Sequence, residues 1–174
     1  MAQLSLVDYL SIEDVLPHIF ESGKVPAILV LDGVEDVRNI GALARSAVWF
    51  GFDAIMVSLK RSARINSFAY KSSAGAIKDI HICRENSMTK AVNFLKESGL
   101  KIVIAESNTD EKPDKSIFSE PIALILGSEE KGVVREIAAF ADHFVNIEGT
   151  GKVESLNVSV AGAILMHEIY KVRT

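Results

Sequence analysis

The chain has 174 residues, a formal net charge of −4 and 48% hydrophobic positions, enough to bury one substantial core but not two independent ones. The acidic balance excludes a protein that coats nucleic acid nonspecifically. Apolar runs such as 27–31 and 122–126 end far short of a bilayer span, and residues 1–16 lack a basic leader followed by an unbroken apolar stretch, so a cytoplasmic protein without membrane contact is expected.

In chain order, residues 12–21 predict a short helix interrupted by Pro17 and closed by Gly23. Residues 1–25 are therefore expected as a helical appendage to a main domain over 26–174. In that domain, short β-rich runs at 27–32, 54–58, 79–83, 101–105, 122–126 and 144–147 alternate with helical patterns at 40–50, 88–98, 133–140 and 155–170. This is the signature of an α/β fold, a mostly parallel sheet with helices on both faces. The polar stretch from Ser107 to Pro121, which contains Pro113, predicts a surface loop.

Three strand-to-helix junctions hold polar residues and glycines. At the first, a strand ends at Asp32, Asn39 is placed to cap a helix, and Ile40, Leu43, Ala44, Ala47, Val48 and Phe50 form its inward face. Arg45 lies six residues after Asn39, so the two side chains project about 120° apart and do not face one ligand by helical spacing alone. The second junction runs from a buried strand into Gly127, which permits close approach to the backbone, and then Ser128, Glu129 and Glu130, which also suit a helix cap and first turn. The third is a glycine-bearing loop leading to a helix that opens with Ser155 and Asn157. Gly162 within that helix suggests close approach by another backbone.

Lys60, Arg61, Arg64, Lys71 and Lys78 form a run of five cations with no acid between the first and last, either a local phosphate-binding patch or a solvated face. Cys83, the single cysteine, reads as a small buried hydrophobe. His18, His81, His143 and His167 lack ligand spacing, so no metal is expected.

The patterns DxxNxGAxxR over 36–45, LGSEExG over 126–132 and ESLNVSVAGA over 154–163 resemble, in this order, the three motifs of the SpoU (TrmH-like) family of RNA ribose 2′-O-methyltransferases. The resemblance covers roughly residues 27–171. It implies the SPOUT architecture with a C-terminal trefoil knot, S-adenosylmethionine as cofactor, and a homodimer with its active site near the subunit interface, which would supply Arg45 across the dimer. It assigns cofactor binding to the backbones of Gly127, Ile147 and Leu156, and catalytic positions to Asn39, Arg45, Glu129, Ser155 and Asn157.

A guanidinium normally keeps its proton, so Arg45 suits phosphate binding and electrostatic orientation better than proton abstraction. The resemblance also implies an RNA partner. The stretch 59–76 is similar to a segment of members that methylate guanosine in ribosomal RNA. The same reaction on transfer RNA is the alternative, with a noncatalytic RNA-binding protein as a more distant one. One departure stands out: the family's Ile-Pro-Met after the last strand is here Ile147, Glu148 and Gly149.

Overall fold

The structure, a computed structural model, describes residues 7–62, 64–110 and 115–174. Strands β2 (Ala27–Asp32), β3 (Ala54–Ser58) and β5 (Lys101–Ala105) have the bounds their apolar runs predict, and β6 (Ile122–Gly127) extends one residue further. With β1 (Tyr9–Leu10), β4 (His81–Glu85) and β7 (His143–Val145) they form one sheet in the order β1-β4-β3-β2-β6-β5-β7. Every pairing is parallel.

β2 is central and buried on both faces, which explains its unbroken apolar run. Its alternate residues divide between two cores. Ala27, Leu29 and Leu31 meet α2 (Val37–Trp49) and α7 (Val158–Arg173) on one face. Ile28 and Val30 meet α1 (Ile12–Glu21), α4 (Met88–Glu97) and α6 (Arg135–Ala138) on the other. Helices on both faces, as expected, follow from this period-two division.

Several boundaries differ from expectation because side chains select the caps. Helix α2 starts at Val37 with Asp36, not Asn39, as its cap. The Asp36 carboxylate accepts from the Arg38 backbone N–H at 2.8 Å and from its guanidinium at 2.7 Å. The hydrogen bond from the Arg38 side chain holds the Asp36 carboxyl below its ordinary range. Helix α7 starts at Val158, capped by Asn157, rather than at 155. The helix expected over 133–140 contracts to the four residues of α6, because Val133 and Val134 belong to the loop leaving β6. Residues 76–78 form a 3-10 turn that delays β4 to His81. Asn146 and Ile147 leave the sheet and line a cleft.

The stretch expected as a loop from Ser107 to Pro121 contains α5 (Lys115–Phe118), which buries Ile117 and Phe118; Pro113 lies outside the described residues. Helix α1 runs unbroken through Pro17. Over its described residues, the segment expected as an appendage joins the sheet and the core. β1 pairs with β4, Ile12 N donates to Glu85 Oε1 at 2.7 Å, and Ile12, Val15, Leu16 and Ile19 are buried. At the other terminus, the Arg173 guanidinium donates to the carbonyl oxygens of Val25, Pro26, Phe118 and Glu120, clasping the end of α7 to the entries of β2 and β6. Cys83 is buried, and that burial, aided by the charges of Glu85 and Asp14, pushes its thiol up to about 12, so it stays protonated and inert.

Candidate active site

From β5 the chain moves inward to β6 and then crosses β5 to reach β7 at the sheet edge, so the connections diverge at the carboxyl ends of these strands. Ligands of parallel α/β sheets bind in such crevices. A cleft of about 810 Å³ lies there, walled by the ends of β5, β6 and β7, the loop 146–157 and the first turns of α7. Its size falls among small-molecule sites.

Gly127, Ile147 and Leu156 all line this cleft, as do Glu129 and Ser155. Asn39 and Asn157 join it through hydrogen bonds. The Asn157 Nδ2 donates to Asn39 Oδ1 at 3.2 Å and to Glu129 Oε1 at 2.9 Å, so one amide ties the three motif segments together. Glu129 Oε1 also accepts from Val158 N at 3.2 Å, placing a carboxylate against the positive end of α7. The Oδ1 of Asn157 caps that helix by accepting from Ser159 N at 3.0 Å. An Asn39 cap would have spent this side chain on its own helix; with Asp36 as the cap, Asn39 is available to α7.

Arg45 is not brought into this cluster. It is exposed on α2 and makes no hydrogen bond or ion pair among the described residues. Ser155 is likewise exposed on the loop before α7. All five cations, Lys60, Arg61, Arg64, Lys71 and Lys78, are exposed, and Lys78 also lies over the Tyr70 ring at 4.9 Å. Arg61 donates to Asp32 Oδ1 at 2.5 Å.

Asp32 was missed as a site residue. Its carboxylate is fully buried at the end of β2, and its second oxygen accepts from Val134 N at 2.8 Å. It therefore joins the basic loop after β3 to the loop after β6 that walls the cleft. An acid closing an otherwise apolar strand was the available signal.

Two glycines are bare for contacts within the chain itself. A Cβ on Gly127 would collide with the Gly132 carbonyl carbon and the Val133 nitrogen, and lie 2.5 Å from the Gly132 oxygen. Its bareness therefore admits the chain's own loop, which folds back through the Ser128–Gly132 bridge; Ser128 caps no helix. Gly127→Ala is expected to cost about 1–3 kcal/mol by overpacking, seen as a lower urea midpoint at unchanged slope. An unchanged midpoint would refute this role. A Cβ on Gly162 would press on side chains, Leu43 and Leu126 (2.7 Å from its Cδ1), not on another backbone.

The ionisable groups lining the cleft are Glu106, Glu129, Glu130, Glu148, Glu154 and the single base Lys131. This balance favours a ligand with a cationic centre and disfavours a phosphate. Among the described residues, no three His, Cys, Asp or Glu side chains gather as metal ligands.

Comparison with known proteins places this geometry. The profile of the SpoU rRNA methylase family matches residues 26–167. The Bacillus subtilis protein named "Putative TrmH family tRNA/rRNA methyltransferase YacO" is 31% identical over 99% of this chain and 70% of its own length. The 23S rRNA (guanosine-2′-O-)-methyltransferase RlmB of Yersinia pestis is 35% identical over 92% of this chain and 65% of its own. The curated relatives include others of which this chain spans about half. Among solved structures, the TrmH/SpoU tRNA modifying enzyme of A. aeolicus superposes with a TM-score of 0.75 at 26% identity, covering 92% of this chain and 83% of that one. An AdoMet-bound rRNA methyltransferase from Sinorhizobium meliloti shares the fold with a TM-score of 0.81 at 23% identity, over 94% and 61%. With its three motif segments meeting at one amide beside the cleft, the chain belongs to the SpoU rRNA methylase family of RNA methyltransferases.

Proposed function

We propose that this chain transfers a methyl group from S-adenosylmethionine to a ribose 2′-hydroxyl of RNA, the acceptor being a guanosine of ribosomal RNA. The observation that carries the reading is the Asn39–Asn157–Glu129 junction at the rim of an acid-lined cleft. When bound, the cofactor supplies an electrophilic methyl on a sulfonium, and the surplus of carboxylates fits that positive charge. The backbones at Gly127, Ile147 and Leu156 would bracket its adenosyl part. The departure at Glu148 and Gly149 leaves both residues on the cleft wall.

The junction residues hold the loops that shape the cleft. Glu129 fixes the start of α7 and Asn157 fixes the loop before it, while Asn39 orients the substrate-facing edge of α2. Arg45, exposed and unpaired among the described residues, serves to bind a substrate phosphate and orient the ribose. The substrate phosphate accepts the 2′-hydroxyl proton, directly or by relay through Ser155, which takes that proton as it gives its own to the phosphate and whose exposed hydroxyl lines the cleft. Residues 26–174 carry the machinery, with the loop after β7 drawn through a trefoil knot, and β1 and α1 seal the β4 edge.

A homodimer working in the cytoplasm completes the proposal. Exposed Val160 and Ile164 on α7 offer an apolar surface beside the cleft, and a second copy would bring an Arg45 to it. The 35% identity to a 23S rRNA guanosine enzyme supports the ribosomal target. Transfer RNA is the second reading, favoured by the 83% coverage of the A. aeolicus tRNA modifying enzyme.

Incubation with labelled S-adenosylmethionine and separated ribosomal and transfer RNA, followed by mapping of 2′-O-methyl sites, tests the proposal. Label in a ribosomal guanosine is expected; transfer RNA label moves the target. Failure to bind the cofactor sinks the enzymatic reading.

A further inference from the structure

The sequence after β3 places Phe68 inside the acid-free basic stretch 60–78, on α3 (Ser67–Ser72). Large apolar side chains are stabilised by burial, yet Phe68 is 63% exposed. Its backbone is held firmly. Asn66 Oδ1 accepts from Phe68 N at 2.9 Å and Ala69 N at 3.3 Å, Ala69 is fully buried, and α3 presses on α2 where Gly41 leaves room. A Cβ on Gly41 would lie 2.5 Å from the Ala69 carbonyl oxygen and closer still to Ser72 Oγ.

Ala69 and Ser72 face α2, which leaves Phe68 and Lys71, three positions apart, on a neighbouring face. Arg64 precedes them, exposed, on the loop. Arg61 is paired with Asp32 and Lys78 lies over Tyr70, whereas Lys60, Arg64 and Lys71 are exposed with no side-chain partner among the described residues, so their charges are the most readily offered to a polyanion. This surface also adjoins the proposed catalytic edge. Gly41, the contact point of α3, is two residues from Asn39 and four residues, about 6 Å along the helix, before Arg45.

We propose that Phe68 is a stacking platform for an unpaired nucleobase of the substrate RNA, with Arg64 and Lys71 meeting the flanking phosphates. The RNA is then bound as a single-stranded or looped segment, since duplex bases present no free face to an aromatic ring. The inference rests on the RNA methyltransferase reading and names the form of its substrate. Charge complementarity selects RNA over an apolar protein partner, because the aromatic ring is flanked by cations and no acid interrupts the stretch.

Fluorescence anisotropy at fixed salt, with a labelled single-stranded oligoribonucleotide and a blunt duplex of the same sequence, provides the test. Phe68→Ala is expected to weaken single-strand binding about 5- to 150-fold, the loss of one stacked base, and to leave duplex binding, cofactor affinity and urea midpoint unchanged. Phe68→Trp should retain affinity and Phe68→Leu should not. Lys71→Ala should instead lower the salt slope by about one. Unchanged single-strand affinity of Phe68→Ala in a protein that methylates RNA overturns the platform alone. Equal losses on both RNAs, full retention by Phe68→Leu, or a change of oligomeric state in sedimentation also overturn it. Wild-type protein that binds no RNA overturns both this inference and the reading beneath it.

Discussion

Arg45→Ala is expected to lower the rate of methyl transfer by about 100- to 1,000-fold, the usual cost of removing one electrostatic contact made in the transition state. Its urea midpoint and cofactor affinity should stay at wild-type values. The separation follows from placement: Arg45 is exposed on α2, pairs with nothing among the described residues and does not line the cleft. Asn157→Ala should behave oppositely, losing stability and cofactor affinity together, because it removes the cap of α7 and the amide shared by Asn39 and Glu129.

Mixed dimers decide whether Arg45 works across the subunit interface. Combining Arg45→Ala chains with Ser155→Ala chains restores about half of the activity per mixed dimer if each site draws its arginine from the second copy. It restores none if Arg45 serves its own chain. Wild-type transfer by Arg45→Ala alone would remove the residue from the mechanism altogether.

Asp32→Ala is expected to destabilise the protein by about 2–4 kcal/mol, through loss of a charge-assisted bond to Val134 N and of the Arg61 pair. The Val134 bond dominates, since the Arg61 side chain is 45% exposed and can turn to water. Urea unfolding reads the loss as a lower midpoint. The variant should also bind S-adenosylmethionine more weakly in calorimetry, because freeing Val134 loosens the loop that walls the cleft. Asp32→Asn keeps one acceptor and should fall between the two. A wild-type midpoint for Asp32→Ala would show that the buried carboxylate holds nothing in place.

The central sheet is legible in the amino-acid sequence alone. Parallel strands covered on both faces must be apolar throughout, so β2, β3 and β5 are visible as uninterrupted runs with correct ends. The three motifs likewise named Asn39, Glu129, Asn157 and the cleft-lining Gly127, Ile147 and Leu156. Helix starts were less legible, because several polar residues near each start compete to be the cap. Asp36 takes that role through Arg38, and Asn157 through Ser159.

What each glycine and cation does follows from long-range packing and pairing that no local pattern shows. Gly127 is bare for Gly132 and Val133, and Gly41 for α3, contacts between segments whose approach no local pattern encodes. The five cations look alike along the chain, yet Asp32, 29 residues before Arg61, gives that arginine an anionic partner of its own while leaving it exposed. A side chain's availability depends on which groups the fold brings beside it. Strand periodicity is local, whereas ion pairing and close packing join residues far apart in sequence.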